Sequence, residues 1–196
     1  AGELRGFSFN REEPLAMTDG WSKEYVFKAY DIVKDWKEED IANVIYAYGQ
    51  ERYSRRIAKR IVETREQSPI CTSFELAAVV EAAYPKMRGR KKIHPATKTF
   101  QALRIAVNDE FDALKELLLD GFECLAPHGR MSIISFHSLE DRIVKETFRT
   151  FTRDQKAVLV NKKPLTASDE ELQANPRARS AKLRTIEKMW WIYDKS

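Results

Sequence analysis

Apolar positions along the first half of the chain recur three to four residues apart. Ile32, Val33 and Trp36 are followed by Ile41, Val44, Ile45 and Tyr48, then Tyr53, Ile57 and Ile61, then Phe74, Leu76, Val79 and Val80. That period matches the 3.6-residue turn of an amphipathic helix and predicts a helical region from Tyr25 to about Ala83. Ahead of it, Ala1 to Gly20 shows no period, carries Pro14 and Gly20 as breakers, and reads as an irregular lead-in. Thr97 to Leu125 reads as long helix, broken or continuous, ending near Pro127 and Gly129. A compact apolar run, Met131 to Phe136, predicts a strand that leads into a helix with Ile143, Val144, Thr147, Phe148 and Phe151 on its inner face. Ala157 to Val160 and Ala181 to Tyr193 read as further strands, and Ser168 with Glu171 as a helix-capping box.

Composition narrows the class. The chain has 196 residues and is 43% hydrophobic, enough for one ordinary domain or a core plus a small insert. Net charge is only +4, from 34 Lys+Arg against 30 Asp+Glu, so a surface for polyanions must come from local clustering. Cys71 and Cys124 lie far apart with no metal-ligand spacing, which argues for reduced thiols and against a metal site. No apolar stretch approaches a membrane span and no signal peptide is evident, so the expectation is a cytoplasmic protein without a membrane partner.

Local clustering occurs twice. Arg52, Arg55, Arg56, Lys59 and Arg60 fall on one helical face, opposite Tyr53, Ile57 and Ile61, with almost no acid before Glu63. A solvated charged face is the ordinary reading; the missing compensation raises phosphate contact to an even alternative. Lys86, Arg88, Arg90, Lys91 and Lys92 add a basic linker without an acid. Together the two favour nucleic acid over a small molecule.

The strand at Met131 ends in a polar cluster, Phe136-His-Ser-Leu-Glu-Asp-Arg142. Ligands of open α/β sheets bind at the carboxyl ends of strands, which makes this turn a candidate site. Ser138 followed by Asp141 fits a capping box, which explains those two residues and leaves His137, Glu140 and Arg142 unexplained. His94, Arg104 and Asn108 mark a densely polar face on the helix from Thr97, where a cap or pairing with neighbouring loops is the plainer role.

Five segments carry a resemblance. They are Arg5-Gly-Phe-Ser-Phe, Tyr48-Gly-Gln-Glu-Arg-Tyr-Ser-Arg-Arg-Ile-Ala-Lys, the run from His94 to Glu110, Ile134-Ser-Phe-His-Ser-Leu-Glu-Asp-Arg and Asn175-Pro-Arg-Ala-Arg-Ser-Ala-Lys-Leu-Arg. In this order they resemble the bacterial 16S rRNA cytosine-N4 methyltransferase family, often called MraW or RsmH. The resemblance implies an α/β fold, a partial class I (Rossmann-like) methyltransferase core over 1–24 and 93–196, and an inserted all-helical rRNA-recognition domain over 25–92. It implies S-adenosylmethionine as cofactor and 16S rRNA in the small ribosomal subunit as partner.

By the same resemblance the His137–Arg142 turn lies beside the reacting base. The acceptor for the amine proton is then His137, Glu140, Asp141 or a residue upstream of Ala1, with Arg142 holding a phosphate or pairing with Glu140, and with His94, Arg104 and Asn108 as an active-site wall. The family's Gly-rich cofactor turn is not found: the seven glycines never form GxG. Cofactor-binding residues are therefore expected upstream of Ala1, and the chain reads as a C-terminal fragment. Two further departures are Ala16 where many relatives have Asp, and His128 within the usual Pro-Gly-Gly turn. The alternative to an enzyme is a non-catalytic RNA-binding or ribosome-assembly module.

Overall fold

A computed structural model of the chain describes residues 6–8, 11–18, 27–85 and 94–190. The chain forms two compact units, Ala1–Asp109 and Glu110–Ser196. No helix among the described residues is long and apolar enough to cross a membrane.

The described part of the first unit is helical. It comprises α1 (Ala29–Asp35), α2 (Glu38–Gly49), α3 (Ser54–Arg65), α4 (Ser73–Ala83) and α5 (Thr97–Asn108). The periodic apolar positions become its core: Ile32, Ile41, Ile45, Ile57, Ile61, Leu76, Val80 and Leu103 are all fully buried. Phe74 is the exception, half exposed beside the capping box in which Thr72 Oγ1 and the Glu75 carboxylate satisfy the first turn of α4. The lead-in is not loose. The Leu15 N–H donates to the Cys71 carbonyl, Pro14 bridges to Thr72, and Leu15 and Met17 are buried in the helical core.

Gly49 is buried where α2 packs on α5. A Cβ there would lie 2.5 Å from the Lys98 carbonyl oxygen, so only glycine permits the approach. Gln50 then ends α2 in the left-handed region at φ 50°, and Lys98 Nζ donates to its carbonyl. The helix pattern from Thr97 to Leu125 is broken at Asp109, also left-handed at φ 48°. Packing therefore places α5 with the helical unit, on α2, and the division between compact units falls after Asp109.

In the second unit α6 (Glu110–Glu123) precedes β1 (Arg130–Ser135), α7 (Ser138–Arg153), β2 (Ala157–Leu159), β3 (Leu165–Thr166), α8 (Asp169–Ala174), a 3-10 turn (Pro176–Ser180) and β4 (Lys182–Lys188). The expected Ser168 cap is present, its Oγ accepting the Glu171 N–H. Strand order is β1-β4-β2, with β3 also on β4, and every pairing among the described residues is antiparallel. The observed class is mixed α/β, mostly helical with a small antiparallel sheet.

Because β1 and β2 are both antiparallel to β4, they run parallel to each other, joined by α7 with β4 between them. Residues alternate across the sheet. Met131, Ala157 and Ile186 face Leu118, Phe122, Val144, Phe148 and Phe151 in a second core. Lys188, 8% exposed, seals that core from below by donating to the Phe122 and Glu123 carbonyls at the end of α6, over the Phe122 ring. A cation at a helix C-terminus is favourably placed, and here it also satisfies carbonyls that no further turn would reach.

The His137 turn, the basic helix and the family of the chain

β1 delivers the candidate turn at its carboxyl end. His137 is extended (φ −136°, ψ 166°) and is itself the N-cap of α7: its Nδ1 accepts the Glu140 N–H at 3.3 Å. The Glu140 carboxylate reaches back, and its Oε2 accepts the N–H of Phe136 at 2.8 Å and of His137 at 3.2 Å. The capping box is thus His137 with Glu140, one residue earlier than the Ser138 and Asp141 expected from the sequence. The reason is local: the chain leaves the extended region after His137, so Ser138 is already the first helical residue. Burial raises the proton affinity of Glu140, but the adjacent His137 ring and the Phe136 and His137 backbone N–H groups outweigh it and hold the carboxyl below its usual range.

Asp141 has a different task. Its Oδ1 accepts Arg184 Nε at 2.7 Å, and its Oδ2 accepts a second Arg184 nitrogen and Lys182 Nζ, each at 3.2 Å. The Arg184 guanidinium, more than burial opposes it, keeps this carboxyl below its ordinary range. Arg184 and Lys182 alternate along β4, opposite Ile133 and Ser135 of β1, so Asp141 clamps the start of α7 to the start of β4. Arg142 is exposed; Glu140 is held by His137 and backbone rather than by that arginine.

Glu110, at the start of α6, joins the turn. The ligand-type atoms of Glu110, His137 and Glu140 lie within 4.8 Å of one another, with the Phe111 ring edge-on to His137. Two carboxylates and an imidazole resemble a metal site, but the ring argues otherwise. Nδ1 accepts a backbone N–H and so carries no proton, which puts the proton of the neutral imidazole on Nε2. A metal at Nε2 would require that proton on Nδ1, facing the Glu140 N–H head-on. The buried Nε2 lies 3.1 Å from Glu140 Oε1 without the alignment of a hydrogen bond.

The first unit holds the remaining candidates. His94 Nδ1 accepts the Ala96 N–H and its Nε2 lies 3.1 Å from Glu81 Oε1, which braces the turn ahead of α5. Asn108 donates to the Met17 and Arg104 carbonyls, pinning the lead-in to α5. On α3, Arg55, Arg56, Lys59 and Arg60 are exposed, as is Arg52 just ahead of it, while Ile57, Ala58 and Ile61 are buried beneath. Lys59 and Arg60 share Glu63 at 3.9 and 3.8 Å, and Arg52 lies over the Tyr53 ring, donating to its hydroxyl. Arg55 and Arg56 have no carboxylate partner among the described residues. Arg88, Arg90, Lys91 and Lys92 lie outside the described residues.

Four residues of this machinery were not singled out from the sequence. Glu51, 3% exposed, accepts the Tyr53 N–H and the Tyr84 hydroxyl; burial and that carboxylate push the phenol far above its usual range. Glu110, Lys182 and Arg184 are the others. The alternation of Lys182 and Arg184 in a strand pattern was the one available signal, since period two puts both on one face.

The MraW methylase family model matches residues 1–189. The chain belongs to that family. It is 46% identical over 200 residues to the ribosomal RNA small subunit methyltransferase H of Brevibacillus brevis, covering 94% of this chain and 63% of that protein. The corresponding methyltransferase of Synechococcus elongatus is 49% identical over 185 residues, covering 94% and 60%, and that of Picosynechococcus is 51% identical over 183, covering 93% and 60%. The chain thus spans about three fifths of the length of these relatives.

A family of methylases implies S-adenosylmethionine as the source of the methyl group. The residues described here do not form a cradle for it. Gly6 is closed over by the Pro14 carbonyl, Gly49 by Lys98, Gly121 by Met131 and Gly129 by Ala126, so each described glycine serves packing or a turn.

Proposed function

We propose that the full-length protein methylates the exocyclic N4 of a cytosine in 16S rRNA, and that this chain carries the side of the site that faces the base. The carrying observation is the β1 turn: a strand in a parallel β1–α7–β2 crossover ends in His137 and Glu140, at the position where open α/β sheets bind ligands. Membership of the MraW methylase family supports the reaction class. In this reading residues 25–92 are the rRNA-recognition insert, on which α5 packs, and 1–24 with 93–196 are by sequence order part of a class I, Rossmann-like core whose cofactor-binding residues lie in sequence that the relatives have beyond this chain. S-adenosylmethionine supplies an electrophilic methyl group when bound.

The roles follow from which atoms are already spent. Asp141 is committed to Arg184 and Lys182, and Oε2 of Glu140 to two backbone N–H groups. Oε1 of Glu140 is the carboxylate atom of the turn best placed to accept a hydrogen bond from the cytosine amine, orienting its lone pair. A carboxyl of lowered proton affinity suffices for the later proton transfer, because the amine nitrogen is cationic once methylated and far more acidic than its parent. Arg142, exposed at the same turn, contacts a phosphate. The exposed face of α3 contacts phosphates elsewhere on the RNA, where shape and backbone rather than base edges are read.

Mass spectrometry of 16S rRNA from cells with and without the full-length gene tests the activity. N4-methylated cytidine should be present only with the gene, and rRNA that is equally methylated in its absence refutes the proposal. The same RNA unmethylated in both strains would favour a non-catalytic assembly role.

A further inference from the structure

Asn175-Pro-Arg-Ala-Arg-Ser-Ala-Lys-Leu-Arg184 is a motif whose arginines have no part in the turn described above, except for Arg184. The structure shows how it is built. Asn175 caps a 3-10 turn, its side-chain oxygen accepting the Arg177 N–H, and Ala178 is buried as the anchor. Arg177 and Arg179, on either side of that anchor, are therefore both held out to solvent. Neither has a carboxylate within ion-pair distance among the described residues. The acids of the neighbouring helix, Asp169, Glu170 and Glu171, occupy the exposed first turn of α8, where they suit the helix N-terminus.

The turn leads directly into β4. Lys182 pairs in register with Ser135, the last residue of β1, and donates to Asp141 in the first turn of α7. The two arginines therefore stand at the sheet end from which the His137 turn projects, and the clamp on Asp141 fixes that relation. At most roughly 18 Å of chain separates Arg177 from Lys182, so the distance to the turn is a few nucleotides. On the other flank of β4, Asn161 accepts the Thr185 N–H and donates to the Lys163 and Leu183 carbonyls, which holds the exposed Lys162 and Lys163 in a fixed loop. Four cations on two braced loops border the candidate site, and all four lack an acid partner among the described residues.

We propose that Arg177 and Arg179, extended by Lys162 and Lys163, grip the phosphates of a single-stranded RNA segment that flanks the base presented to the β1 turn. This rests on the RNA-modifying reading above and adds a second phosphate-contacting surface, separate from α3. Arginine suits the task because its planar fork engages phosphate oxygens in pairs.

Fluorescence anisotropy of a labelled oligouridine about 20 nucleotides long with one central cytosine, titrated at several salt concentrations, tests it. Each phosphate contact on a single strand contributes about 0.7 to the slope of log affinity against log salt. Arg177→Gln/Arg179→Gln should lower that slope by roughly 1.4, and Arg177→Lys/Arg179→Lys should restore most of it, since lysine keeps the charge. An unaltered slope in the glutamine variant, with Arg55→Ala/Arg56→Ala lowering it, overturns this proposal alone and leaves the RNA reading in place. A parental chain without salt-dependent binding overturns both. Should the glutamine variant melt early, the lysine variant decides: a parental slope there supports the grip, and the slope of a chain without the two contacts refutes it.

Discussion

The exposed face of α3 and the first turn of α7 carry similar densities of charge and use them in opposite ways. On α3, cations project into solvent above a buried row of isoleucines, and Arg55 and Arg56 face no acid among the described residues. At α7 most of the charge is spent: Oε2 of Glu140 on two backbone N–H groups, Asp141 on Arg184 and Lys182. An open set of charges is suited to a polyanion whose own charge completes it. A closed set is suited to holding a turn in one geometry, which is what a reacting base requires. The contrast predicts that α3 is tolerant of substitution and α7 is not.

Arg184→Ala should show the largest effect. It removes the better-buried partner of Asp141 and leaves a carboxylate with only Lys182, at a cost of about 2–3 kcal/mol in urea or thermal unfolding. Arg56→Ala on the open helix should cost under about 0.5 kcal/mol in the same assay. Equal costs for the two would erase the distinction between open and closed sets.

Glu140→Ala and Glu140→Gln sharpen it. Alanine removes the acceptor for two N–H groups and should cost roughly 1–2 kcal/mol, while glutamine keeps an oxygen for the capping box and should cost less than about 1 kcal/mol. A glutamine variant as unstable as the alanine variant would mean that charge, not the cap, holds the turn.

The helical half of the chain was legible because 3.6-residue periodicity survives into burial: Ile41, Ile45, Ile57 and Ile61 are where the spacing put them. The turn at residue 137 was legible because an apolar run stopped at a polar cluster. The identity of its cap was not, since His-x-x-Glu and Ser-x-x-Asp are offset by a single residue and only backbone dihedrals decide which begins the helix. Leu15 and Met17 gave no signal, because the lead-in is held by the Leu15 bond to Cys71, the Pro14 bridge to Thr72 and the Asn108 bond to the Met17 carbonyl rather than by any period of its own. β3 is two residues long and exists only through its partner β4. Glu110 was invisible as a site residue because sequence separation hides its approach to His137.

Acid should weaken the closed set. Glu140 and Asp141 both have folded values below their ordinary ones, so their contribution is full above about pH 5 and is lost as pH falls through the folded values, below the usual range near 4. The parental chain should therefore lose stability steeply below about pH 4, and Arg184→Ala should flatten that loss. A parallel decline in both proteins would place the acid sensitivity elsewhere.

The smallest effect lies outside both regions. His128 sits at φ 62°, a left-handed conformation that costs a histidine and not a glycine, in the turn ahead of β1. His128→Gly should raise stability by about 0.5 kcal/mol, reduced from the full relief of strain because the contacts of the ring with Glu187 and Trp190 are lost. A destabilised variant would mean those contacts outweigh the strain.

Single-turnover methylation of small ribosomal subunits by the full-length protein is the most direct test of the central claim, that the β1 turn faces the reacting base and α3 only holds the RNA. With RNA saturating, Glu140→Gln should methylate about 10²–10³ times more slowly than the parent while remaining folded. Arg55→Ala/Arg56→Ala should reach the parental rate and need more RNA to do so. A Glu140→Gln enzyme that turns over at the parental rate would contradict the account and leave the turn as a structural cap.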